Sequence, residues 1–175
     1  MGIFDKRVKA IVAQVPSTMN WETKRRINPE RFDKFSELSI QDRIERYRIE
    51  NIKYIKVVAP EGELCVLSQA ESYEFFMEAS KLAPNWCNQI TFESLEKQRE
   101  FDPISLIHMI APTPLLIIAA EYDKLILLNA PVSVYKRALD PKSIKILPCS
   151  HFEIYTEPWV VEADRAAVDW FKAYL

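Results

Sequence analysis

Two side chains in this sequence have the type and setting for proton-transfer chemistry. His151 lies in "LPCSHFEIYTEP", residues 147–158, just past the short apolar run "SIKILP". Asp123 lies in "AAEYDKL", just past the longer run "TPLLIIAAE", and the two residues are 28 positions apart. An imidazole takes up and returns a proton near neutral pH. A carboxylate that accepts its Nδ1–H fixes the tautomer and stabilises the imidazolium formed when Nε2 takes a proton. In an open α/β sheet the carboxyl ends of the strands form the ligand-binding edge, and both residues would stand there. An acid after one strand and a histidine after the next is also the latter part of one chain order used by nucleophile–acid–base triads. Alone, His151 would read as a structural or surface histidine; paired with Asp123 it reads as a base.

The other reactive groups carry less. Cys149 is two positions from His151 on the same loop, where the side chains tend to point apart, and a thiol at a strand end is more often inert packing. Nothing aims Cys65 or Cys87 at His151. His108, in "ISLIHMIAPTP", precedes the strong strand at the end opposite Asp123 and reads as structural. "HFE" has the HxE of zinc deaminases without the PCxxC that would follow, so no metal site is expected. Trp21, Trp86 and the Phe75-Phe76-Met77 run could line an acyl pocket, with core packing as the default reading.

The elements that must position the pair follow from hydrophobic pattern. "VKAIVAQVP" (Val8 to Pro16), "TPLLIIAAE" (Thr113 to Glu121) and "SIKILP" (Ser143 to Pro148) are near-continuous apolar runs, as buried parallel strands are. "NAPVSVYKRALDP" predicts a helix opened by Pro131 and ended before Pro141. "EPWVVEADRAAVDWFKAYL" predicts a helix whose Val160, Ala163, Ala167, Phe171 and Tyr174 face the sheet. Strand, helix, strand, helix specifies the α/β class. Residues 18–100 have another texture. "NPERFDKFSELSIQDRIERYR" is charged and helical, "YIKVVAPEGELCVLS" reads as a hairpin turning at Glu61-Gly62, and "QAESYEFFMEASKLAP" and "TFESLEKQREF" read as amphipathic helices. The expected organisation is a core of residues 1–17 and 101–175 with a mostly helical cap or lid, 18–100, inserted between its first two strands.

The totals set limits. A chain of 175 residues, 49% apolar, suits one core. The net charge of −2 and pI near 5.8 give no reason to expect a nucleic-acid or anionic-membrane partner. The basic residues at 24–26, 31, 34, 43, 46 and 48 alternate with Glu22, Glu30, Asp33, Glu37, Asp42 and Glu45, a solvated helix surface and not an RNA face. Three cysteines without CxxC spacing suggest free thiols in a reducing compartment. With no signal peptide, no membrane-length apolar run and no "SKL" terminus, a cytoplasmic protein is the expectation. Two glycines, Gly2 and Gly62, stand where roughly twelve are usual. GxSxG, GxGxxG and Walker loops are therefore arithmetically impossible within this sequence.

Beyond spacing, "FDKRVKAIVAQVP", "FDPISLIHMIAPTPLLIIAAEYD", "ALDPKSIKILPCSHFEIYTEP" and the final "AAVDWFKAYL" resemble the C-terminal half of an α/β-hydrolase. They are most similar to the fungal dienelactone-hydrolase-like and polyketide-transferase-like branch, related to the S15 peptidases. The resemblance implies that Asp123 and His151 are the triad acid and base and that the three strands are the sixth, seventh and eighth of the family's sheet. It further implies hydrolysis or acyl transfer on a small ester, thioester or polyketide-type substrate of fungal secondary metabolism, with no cofactor. Two departures stand out. The resemblance begins inside the helix that follows the family's nucleophile, so the serine, the oxyanion-hole amides and five strands are expected to be missing. Glycines common in the family near positions 149 and 150 are here Cys149 and Ser150. The expectation carries an alternative, a truncated non-catalytic pseudoenzyme or binding module. It also carries a partner: with one edge of Val8–Pro16 uncovered, the chain is expected to self-associate there or to need the missing half.

Overall fold

A computed structural model describes residues 2–18, 21–102 and 104–175. In chain order the elements are β1 (Ile11–Gln14), α1 (Trp21–Ile27), α2 (Pro29–Ile49), β2 (Tyr54–Ile55), α3 (Ala70–Ser80), β3 (Ile90–Thr91), α4 (Phe92–Glu100), β4 (Leu115–Ala120), α5 (Asn129–Arg137), β5 (Lys142–Leu147) and α6 (Trp159–Tyr174). They form two compact units, one of residues 1–19 and 102–175 and one of residues 20–101.

The first unit is a parallel sheet in the order β1-β4-β5, with Ile11 level with Leu115 and Leu115 level with Lys142. β4 is central, and all six of its residues, LLIIAA, are buried. That explains why its sequence lacks the polar alternation of a half-exposed strand. Successive side chains enter opposite layers. Leu116, Ile118 and Ala120 join Val15, Leu147, Cys149, Ile154 and Ala163 on one face. Leu115 and Ile117 join Ile104, Ile107, Ile110, Val134 and Ala138 on the other. α6 covers the first face through Trp159, Ala163, Ala166 and Trp170, a stripe rotated from the expected one. The large indoles take the inward positions, and Tyr174 is left 40% exposed. Just past β1 comes Val15, whose φ of 35° is a left-handed conformation that a β-branched side chain rarely adopts. It is held there by a 2.7 Å hydrogen bond from its N–H to the Ile118 carbonyl and by burial.

The second unit is mostly helical. α2 starts where Asn28 accepts a hydrogen bond from the Arg31 N–H and Pro29 occupies the first turn, a strong start signal. Its Phe35 packs with Ile55, Phe92 and Leu95 in a small core. Around this core Arg46 reaches Asp42, Glu93 and Glu96, and Arg43 also pairs with Glu96. The expected hairpin at Glu61-Gly62 is not formed. Gly62 does turn the chain at φ 88°, but β2 pairs antiparallel with β3. The two arms meet in an isolated parallel bridge of Val58 and Leu67, where the N–H groups of Val66 and Leu67 donate to Lys56 and Val57. The physical reason lies in Asn88, whose side chain accepts from the Val58 N–H and donates to the Val58 carbonyl, replacing a partner strand. Among the described residues no helix is long and apolar enough to cross a membrane.

Candidate active site

Asp123 and His151 stand on the loops that leave β4 and β5 at their carboxyl ends. The two loops are laced by backbone: the N–H of Glu121 donates to Leu147, and that of Tyr122 to Cys149. Asp123 is buried, and its Oδ1 accepts hydrogen bonds from the N–H groups of Leu125 and Ile126, both at 2.8 Å. This turn fixes the carboxylate by its own next residues, as Asp does in an Asx turn. The remaining oxygen, Oδ2, lies 2.7 Å from Nδ1 of His151. An orienting carboxylate thus holds the imidazole by one nitrogen, and no side chain among the described residues hydrogen-bonds Nε2.

The histidine loop has its own anchors. Glu153 accepts a 2.7 Å hydrogen bond from the Ser150 N–H, which holds its carboxyl below the usual carboxylate range. A 3₁₀ turn, Glu153–Tyr155, follows and buries Ile154 completely. The Phe152 ring stands edge-on to the imidazole, with centroids 4.9 Å apart. Cys149 and Ser150 have none of the positive φ angles found at Val15, Glu50 and Gly62, so this loop reverses without needing glycine. Sequence reading missed Glu153 and the Leu125 and Ile126 amides. The pattern Asp123-Lys124-Leu125-Ile126 after a strand was a signal for the second.

The other candidates fall elsewhere. Cys149 is 1% exposed and packs in the core under α6, and burial followed by the charges of Glu153 and Asp123 pushes its thiol up. A raised thiol is a poor nucleophile at neutral pH. Cys65 is buried and Cys87 exposed, both in the second unit. His108 lies exposed on the 3₁₀ turn Ile107–Ile110. Trp21 meets Phe32 edge-on, and Phe76 stacks on Trp86, so the aromatics pack in pairs within the second unit. Among the described residues no group of three or more His, Cys, Asp or Glu could hold a metal ion.

No family model matches the sequence. The chain is 26% identical over 144 residues to a polyketide transferase, GrgF, of a Penicillium species, covering 82% of this chain and 47% of that protein. The solved structure of GrgF, described as an α/β-hydrolase from Penicillium sp. sh18, superposes on 99% of this chain and 58% of its own with a TM-score of 0.77 at 23% identity. DcsB, solved with a substrate analogue, gives the same TM-score of 0.77 at 22% identity, over 99% of this chain and 59% of its own. A monoacylglycerol lipase of Paleococcus ferrophilus matches at a TM-score of 0.58 and 16% identity, over 93% of this chain and 58% of its own. The fold is that of an α/β-hydrolase in part, and the resemblance to the polyketide-transferase-like branch holds in both sequence and structure. The chain spans about half the length of the curated relative it matches.

Proposed function

We propose that Asp123 and His151 are the acid–base arm of a serine-hydrolase-type site that transfers or hydrolyses an acyl group on a small ester, thioester or polyketide-type substrate. The observation that carries this reading is the 2.7 Å contact between Oδ2 of Asp123 and Nδ1 of His151 at the carboxyl ends of adjacent parallel strands. In the assembled site, His151 Nε2 takes the proton of an attacking hydroxyl and returns it to the leaving group, while Asp123 holds the tautomer and stabilises the imidazolium. The similarity to a polyketide transferase supports an acyl substrate and a place in secondary metabolism. The inserted helical unit, 20–101, leaves the sheet just after β1 and is the segment in which substrate selection would reside, as a cap.

A second reading, a module that binds without catalysing, is favoured by one observation. Gly2 and Gly62 stand far too far apart to frame a GxSxG elbow, so a nucleophile on such an elbow would have to reach Nε2 from outside these 175 residues. Fluorophosphonate labelling of the protein isolated from its source, in its native chain length and assembly, separates the two. Covalent labelling that disappears in His151→Ala, and slows by roughly 10³–10⁴-fold in Asp123→Asn, is the expected result. A protein that binds acyl substrates yet is never labelled would overturn the catalytic reading.

A further inference from the structure

The second unit carries an apolar stripe that its own core does not use. On α2, Ile40, Ile44 and Tyr47 recur at the i, i+4, i+7 spacing of one helix face and are 58%, 46% and 91% exposed. The residues α2 buries, Phe32, Phe35, Ser39 and Asp42, lie on a different face. A contiguous exposed apolar patch on a charged helix marks a contact surface.

The charges beside the stripe say what covers it. At 100° per residue, Glu37 and Arg48 fall on the same flank of the stripe, near its two ends. Both are exposed, and neither forms an ion pair among the described residues. A two-fold axis that runs two copies of α2 antiparallel brings like flanks together. Glu37 then meets Arg48 of the second copy, and Arg48 meets its Glu37, while Ile40 and Ile44 interdigitate at the centre. A parallel pairing would set this flank against the opposite one, so Glu37 and Arg48 of the two copies would not meet. On the other flank Arg43 is already bound by Glu96 and Glu100, so two copies of it do not repel as free charges.

We infer that the Ile40–Ile44–Tyr47 face of α2 is a docking surface for a second copy of this chain, paired antiparallel and set in register by reciprocal Glu37–Arg48 ion pairs. Three apolar side chains and two exposed ion pairs make a small contact, so association is weak and concentration-dependent.

Carbodiimide cross-linking of the full chain in the Arg48→Lys variant tests this directly, because the reagent joins a carboxylate to an amine in contact. Within one helix positions 37 and 48 are about 16 Å apart, beyond its reach, so a peptide linking them reports two copies. The linked peptide is expected in the dimer band. In the otherwise native chain, Glu37→Arg should weaken sedimentation-measured dimerisation about tenfold, and adding Arg48→Glu should restore it. Absence of the linked peptide at the highest soluble concentration, or dimerisation indifferent to both charge changes, would overturn the proposal.

Discussion

Cys149 and Cys87 report, residue by residue, on how the histidine loop is built. Cys149 sits between the pair's loop and the α6 core at 1% exposure, whereas Cys87 is exposed. Iodoacetamide should therefore modify Cys87 rapidly and Cys149 only when the first unit opens, a difference that peptide mass spectrometry resolves. The pH sign follows from the raised thiol of Cys149. Its contribution to stability is fully present below the unfolded thiol value, about 8.5, and is lost as pH rises through the higher folded value. The alkaline fall in denaturation midpoint should be shallower in Cys149→Ala, and an unchanged slope would mean that the thiol is not held neutral by the fold. That Asp123 and His151 stand side by side was legible in the sequence, because each follows its own strand of a parallel pair, and the structure sets them 2.7 Å apart. Glu153 was not, since its role depends on the chain doubling back to offer the Ser150 amide.

At the scale of elements, apolar runs gave the three strands to within a few residues, and Pro131 and Pro158 lie within two residues of the starts of α5 and α6. Pairing was harder to read. β2 is only two residues long and meets β3 some 35 positions away, because Asn88 satisfies Val58 where a hairpin partner was expected. β1 raises the sharper question. The N–H groups of Ile11 and Val15 donate to Pro114 and Ile118, so by alternation those of Val12 and Gln14 point away from β4. Among the described residues no strand receives them, and we propose that this edge is where a further strand, from another copy or another stretch of polypeptide, adds. Amide exchange at Val12 and Gln14 should be fast in dilute protein and should slow on association, while Ile11 and Val15 stay protected throughout. Equal, concentration-independent protection at all four positions would show that the edge is already satisfied.

For the molecule as a whole, the sequence changes texture between apolar runs and charged helices, and the structure falls into two compact units. The identity of the contacts that hold the inserted unit was not legible in the sequence, because they are long-range. Phe32 shows this. Near the start of the insert Trp21 lies edge-on to its ring at 4.9 Å, and near the end the Arg99 guanidinium lies over it at 4.3 Å and donates to its carbonyl. The two ends of a long insertion thus meet at one buried side chain.

That meeting point has a kinetic meaning. Joining Ile11 to Leu115 directly would close a loop of roughly a hundred residues, the slow step of a parallel sheet. Once Phe32 gathers Trp21 and Arg99, the free segments still to be closed amount to roughly twenty-five residues. The entropy saved is about 1.3 kcal/mol, just under tenfold in rate. Phe32→Ala should therefore delay the appearance of protected amides at Ile11 and Val15 in pulse-labelled refolding, though it touches neither strand. The inserted unit would then serve as the clasp that lets the sheet find its register in time.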